Sequence, residues 1–124
     1  MRYLVDTNIL IDHLRGKSAA TQWLERVERG EYEAAVSVLT EYELFVVPRL
    51  SEYQAQRIMQ LFSLLPLLPV TSAIAHRAAL IHRDYHTDLA DAIIAATAIE
   101  HEVTLLTQNV KDFERIKGLQ IVTL

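Results

Sequence analysis

Short apolar runs recur along this chain, each closed by a Ser, Thr, Asn or acidic residue and followed by a longer stretch with helical periodicity. Arg2 to Val5 ends in Asp-Thr-Asn. Ala34 to Val38, Leu67 to Val70, Thr104 to Leu106 and Gln120 to Thr123 repeat the pattern. Strands this short, separated by helices, predict a parallel sheet of four or five strands with α-helices on both faces. The intervening segments supply the helices. Ile9, Leu10 and Leu14 share a face before Gly16, and Trp23, Leu24 and Val27 line a helix over 19–29 that stops at Gly30. Thr40 opens a helix reaching towards Pro48. Ile58, Leu61, Phe62 and Leu65 are in register over 51–65. Further helices are predicted from Ser72 towards Arg83, over 89–100, where the Ala-rich segment has no breaker, and over 110–116.

At 124 residues, with 51% hydrophobic and 23% charged side chains, the chain suits one domain spanning 1–124. Cysteine is absent, which excludes disulfides, thiolate metal sites and cysteine nucleophiles. The 18 residues from Ile58 to Ala75 carry no charge, but Pro66 and Pro69 interrupt them, so the pattern predicts a helix end, a turn and a strand, not a membrane span. A soluble, cytoplasmic protein is expected. The net charge of −4 argues against non-specific gripping of duplex DNA, although two divalent cations would bring it to zero.

In doubly wound sheets ligands sit beyond the carboxyl ends of the strands. Carboxylates collect there in this sequence: Asp6 after the first strand, Glu43 after the second, Asp91 in the first turn of the Ala-rich helix, and Asp112 after the fourth strand. Singly, most have a structural explanation. Thr40-x-x-Glu43 has capping-box spacing, and Asp88-x-x-Asp91 and Asn109-x-x-Asp112 are looser versions. Four carboxylates at one sheet edge would nonetheless repel one another unless a cation joined them. An oxygen-only donor set suits Mg²⁺ or Mn²⁺, and the chemistry such ions best support is phosphodiester hydrolysis.

The segments Asp6-Thr7-Asn8, S-x-x-T-x-x-E-L from Ser37 to Leu44, DAIIAATA over 91–98 and T-x-N-x-x-D-F from Thr107 to Phe113 resemble, in order, the motif set of PIN domains. The nearest likeness is to the VapC-type toxin ribonucleases of prokaryotic toxin–antitoxin pairs. The resemblance implies a PIN-like sheet between helices and a metal-dependent endoribonuclease that hydrolyses RNA. It implies that Asp6, Glu43, Asp91 and Asp112 hold one or two Mg²⁺ or Mn²⁺ ions, with Thr7, Asn8, Thr107 and Asn109 orienting those carboxylates or the attacking water. It also implies a homodimer silenced by a cognate antitoxin that binds operator DNA. The family often has Arg where Gln108 stands, and a Gly before the fourth strand where this chain has His101 and Glu102.

Two other readings compete. A receiver-like phosphoryl-signalling domain shares the size and layering, but needs an acidic pair at the first strand end and a Lys after the fifth strand. A non-catalytic binding module on the same fold fits poorly with a full acidic set. No G-x-S-x-G or H-E-x-x-H occurs. Arg15, Lys17, Arg49, Lys111 and Lys117 are candidate RNA contacts. The 51–65 helix with Leu10, Leu14 and Trp23 is expected to form a hydrophobic groove for an amphipathic antitoxin segment.

Overall fold

In the computed structural model, which describes residues 2–124, five parallel strands stand in the order β3-β2-β1-β4-β5. They are β1 (Arg2–Val5), β2 (Glu33–Ser37), β3 (Leu67–Leu68), β4 (Thr104–Leu106) and β5 (Ile121–Val122). The helices are α1 (Thr7–Leu14) and α2 (Ser18–Glu28), α3 (Val38–Phe45) and α4 (Glu52–Leu64), α5 (Ser72–Tyr85) and α6 (Leu89–Glu100), and α7 (Val110–Phe113). The chain winds outward from β1 through β2 to β3, then returns through α5 and α6 to place β4 on the other side of β1. Right-handed crossovers in opposite directions place helices on opposite faces.

The strands are apolar on both faces, and successive residues serve different cores. Leu4 and Leu105 join Ile74, Ala78, Ile81, Phe113 and the alanines of α6 on one side. Val5, Val36 and Leu106 join Ile9, Leu10, Leu24, Leu44, Ile58 and Leu61 on the other. Ala92, Ala95, Ala96 and Ala98 are buried, so α6 meets its neighbours through methyl groups. That permits close approach, and at large side chains the same faces would be overpacked.

Several local expectations shift. α3 begins at Val38 with Ser37 as its N-cap, whose hydroxyl accepts from the Leu39 N–H at 3.0 Å; Thr40 therefore lies inside the helix and caps nothing. β2 starts and ends one residue earlier than expected, β3 stops at Leu68, and α7 ends at Phe113. α1 starts at Thr7, directly behind its cap Asp6. The left-handed residue after α6 is Glu102, at φ 54°, while His101 stays right-handed.

Candidate active site

β1 and β4 are the neighbours from which the connections diverge, so their carboxyl ends mark the crossover where sheets of this kind bind ligands. Asp6 lies between the two strand ends. The ladder continues to its backbone, where the Asp6 N–H donates to the Leu106 carbonyl at 2.9 Å. Its side chain is 7% exposed, and both oxygens are engaged. Oδ1 accepts from the Thr7 N–H at 2.8 Å, and Oδ2 accepts from the Thr107 hydroxyl at 2.7 Å. The Asn109 N–H donates to the same Thr107 oxygen at 3.0 Å. That bond occupies a lone pair and leaves the hydroxyl proton for Asp6.

A second chain of bonds reaches across to α3. The Thr7 hydroxyl donates to Glu43 Oε1 at 2.7 Å and lies 2.9 Å from the Thr40 hydroxyl. A hydroxyl has one proton, and Thr7 gives it to the carboxylate, so Thr40 donates to Thr7. Thr40 is fully buried, and its role differs from the capping-box partner its spacing suggested. Ser37, Thr40 and Glu43 recur every three residues and so share one face of α3. The repeat is visible in the sequence, but the same spacing also reads as a capping box.

Asp91 enters from the opposite layer. Asp88 caps α6, its Oδ1 accepting from the Asp91 N–H at 2.8 Å, so the looser capping pattern at 88–91 is real. The Asp91 carboxyl remains free to face the crossover. Burial, then the charges of Asp88, Asp6, Asp112 and Glu43, push its pKa up to about 7. Burial also raises the Asp6 pKa. The Thr107 and Thr7 hydrogen bonds oppose that rise, and the Glu43 and Asp112 charges add to it. The four acids named from the sequence thus act on one another electrostatically, although they come from four separate segments.

The remaining expected residues differ in kind. Asp112 is exposed in the first turn of α7. Asn109 contributes its backbone N–H to Thr107, and its side chain makes no cap. Asn8 Oδ1 is buried without a hydrogen-bond partner. Gln108, exposed, accepts through Oε1 from the Thr123 hydroxyl and is thereby tied to the strand-end residues after β5.

Among the described residues, no three acidic or histidine side chains stand close enough to form a ready-made cation cage. The donors still fit a hard divalent ion. They are all oxygens, burial makes the charges of Asp6 and Asp91 costly, and the orphaned Asn8 oxygen lies one residue beyond Thr7.

The PIN domain family profile matches residues 3–119. This chain belongs to the PIN-domain family. Within it, the chain falls among the VapC proteins. "Ribonuclease VapC19" of Mycobacterium tuberculosis is 40% identical over 123 residues, covering 94% of this PIN domain and 96% of its own length. "Ribonuclease VapC1" of Rickettsia felis is 37% identical over 134 residues, covering 99% and 96%. A solved "Toxin-antitoxin complex from Klebsiella pneumoniae" superposes with a TM-score of 0.81 at 36% identity, covering 98% of this PIN domain and 96% of that chain.

Proposed function

We propose that this PIN domain is the endoribonuclease toxin of a toxin–antitoxin pair, and that Asp6, Glu43, Asp91 and Asp112 carry its chemistry. One observation carries the reading: a buried Asp6, held by Thr7 and Thr107 at the strand crossover, shares its charge environment with three other acids. Asp6 caps α1 through the Thr7 N–H, but a cap does not require three further acids nearby, whose like charges burial makes costly. The VapC relatives, named as ribonucleases over nearly their full length, support the substrate class.

The four carboxylates would hold Mg²⁺ or Mn²⁺, which when bound offsets phosphate charge and lowers the pKa of its water. The chain's own residues fix the geometry for this. Thr107 and the Thr7 N–H set the plane of the Asp6 carboxylate, and Thr40 and Thr7 in series fix Glu43. Thr7 thus links the two carboxylates, offering its N–H to one and its hydroxyl to the other. Asp91, with its pKa pushed up to about 7, keeps a proton through mildly acidic pH and becomes an anion at the site as pH passes neutrality. RNA held against these acids is attacked by water at a backbone phosphorus, and the adjoining sugar oxygen leaves.

A protein partner that silences the enzyme is supported by the similarity to the Klebsiella complex. Its expected docking face is the apolar surface around α1, α3 and α4, where Val47 and Tyr53 are exposed. Leu10 and Trp23 are not part of it: Leu10 is fully buried, and Trp23 packs against Tyr3 and Tyr32. No described helix is long and apolar enough to cross a membrane. Cytoplasmic action and pairing as a homodimer complete the proposal.

The test is cleavage of structured RNA by purified protein, with chelator and with Mg²⁺ or Mn²⁺. Cleavage should require the metal and vanish in Asp6→Asn and Asp91→Asn while both variants remain folded by circular dichroism. Wild-type rates in either variant would remove that residue from the site. A signalling domain would instead take up a phosphoryl group at Asp6 and leave RNA intact.

A further inference from the structure

Three of the four acids stand on firm supports. Asp6 accepts from Thr7 and Thr107, Glu43 accepts from Thr7, and Asp91 rides on α6, which is 12 residues long and capped by Asp88. Asp112 has neither kind of support. Its helix, α7, is a single turn of four residues with no side-chain cap, and its exposed carboxyl makes no hydrogen bond among the described residues. A helix this short does not hold itself. Phe113 and Ile116 are buried in the core beside α5 and α6 and fix the depth of the segment. Two apolar anchors define an axis, however, and apolar contact is non-directional, so they leave rotation about that axis unopposed.

The directional tie is Tyr85. Its ring packs against the same core. Its hydroxyl accepts from the Lys117 N–H at 3.1 Å, just past Asp112, and its carbonyl accepts from the Arg115 guanidinium at 3.4 Å. Tyr85 is the last residue of α5, and the turn it opens is fixed. His86 follows in the left-handed region at φ 57°, its N–H donating to the His82 carbonyl at 3.0 Å. The His82 Nδ1–H donates to the Thr87 carbonyl at 2.6 Å, and Asp88 then caps the Asp91 N–H at 2.8 Å. Tyr85 and Asp91 therefore belong to one frame, against which the phenol holds the segment that carries Asp112.

Packing alone has no use for the oxygen, since Phe fills the same space, and Lys117 is exposed, with water at hand for its N–H. The acids do have a use for it. No three of them form a ready-made cage among the described residues, so closing on a cation takes a movement, and Asp112 is the acid least held. The Asp112 charge already bears on Asp91, so the two are near enough for their spacing to matter. A tether that limits the freedom of Asp112 lowers the entropy lost when it closes on an ion. We infer that Tyr85 is a positioning residue, whose hydroxyl, by holding the Lys117 N–H against the α5–α6 turn, keeps Asp112 within reach of a divalent cation held by Asp91. This rests on the reading of the four acids as a cation site. Tyr85 acts through Asp112 and has no part in the chemical step.

The experiment is Tyr85→Phe, which keeps the ring and removes only the oxygen. Mn²⁺ binding is followed without RNA by electron paramagnetic resonance of the free ion, and folding by circular dichroism and thermal unfolding. Loss of a group that orients a metal ligand weakens metal binding roughly 10–100-fold, and this variant should lose about tenfold. With RNA present, the half-saturating Mg²⁺ concentration should rise by a similar factor, while kcat at saturating Mg²⁺ stays within about twofold of wild type. Added to Asp112→Asn, the same change should weaken Mn²⁺ binding no further, because its effect runs through Asp112. Hydrogen exchange at the Lys117 amide of wild type needs no variant: Mg²⁺ should slow it, and unaltered exchange would count against the inference. A purely structural role for Tyr85 would lower Tm and leave the Mn²⁺ affinity of the folded protein unchanged, or weaken it equally with and without Asp112. Either result would overturn the inference and leave the ribonuclease standing. Weaker Mn²⁺ binding by the variant, with no RNA cleavage by wild type, would support the inference and overturn the ribonuclease. No Mn²⁺ binding by wild type would overturn both.

Discussion

Replacing Asp91 by Asn should stabilise the metal-free protein at alkaline pH, an unusual direction for a half-buried polar residue. The sign follows from the Asp91 pKa, raised to about 7 by burial and four neighbouring acids. The unfolded chain loses the proton near pH 3.9, whereas the native state keeps it to about pH 7. Between those values the native state binds more protons than the unfolded state, so stability falls as pH rises. Each pH unit costs about 1.4 kcal/mol, giving about 4 kcal/mol unscreened over the window. Solvent over the exposed half of the side chain reduces this to about 2 kcal/mol.

One opposing effect must be subtracted. An anion in the first turn of α6 favours the helix dipole by about 0.5 kcal/mol, and Asn forfeits that. The net gain at pH 8 is about 1.5 kcal/mol, or about 6 °C in Tm for a domain of this size. It should shrink to under about 1 kcal/mol at pH 5, where native Asp91 is still protonated. The assay is thermal unfolding of wild type and Asp91→Asn in chelator at both pH values, then again with Mg²⁺. At ten times its dissociation constant Mg²⁺ should add about 1.4 kcal/mol to wild type and less to the variant. A variant less stable than wild type in chelator at pH 8 would refute the reasoning, for Asp91 would then be serving the helix terminus and not a cation.

Thr7→Val removes the hydroxyl that joins Thr40 to Glu43; cleavage should fall about 10–100-fold, and unfolding in urea should show a loss of about 1–3 kcal/mol from the stranded Thr40. Thr107→Val should lower cleavage comparably and, measured by carboxyl NMR titration in chelator, raise the Asp6 pKa further, because its hydrogen bond opposes the rise. Glu102→Gly relieves a side chain held at φ 54° and should raise stability by up to about 1 kcal/mol in the same urea assay, leaving cleavage rates unaltered.

Asp6 stood out because it follows an apolar run directly, whereas Glu43, Asp91 and Asp112 lie inside α3, α6 and α7 and were separable from ordinary helix acids only through the motif set taken together. Asp6 is the plainest case, with no partner three residues on to explain it as half of a box. Thr40 was not legible because spacing of three residues serves two purposes alike: a capping box and a shared helical face. Only the position of the true cap, Ser37, separates them, and that depends on where β2 stops. Strand order was equally silent, since pairing joins distant segments and short apolar runs are interchangeable by composition. Trp23 shows a further limit. Helical periodicity identifies the apolar face of α2, but not that Tyr3 and Tyr32 already cover it.

The bond between Asp6 and Thr107 joins residues 101 positions apart. Asp6 leaves the ribosome 101 residues before the hydroxyl that orients it, and Asp112 follows later still. β4 must insert beside β1, and β5 beside β4, before the site exists. A nascent chain therefore carries an incomplete site until β4 and β5 have emerged, as does any product ended before them by a frameshift or stop codon. For an RNA-hydrolysing enzyme, late closure of the fold separates making the protein from exposing its activity.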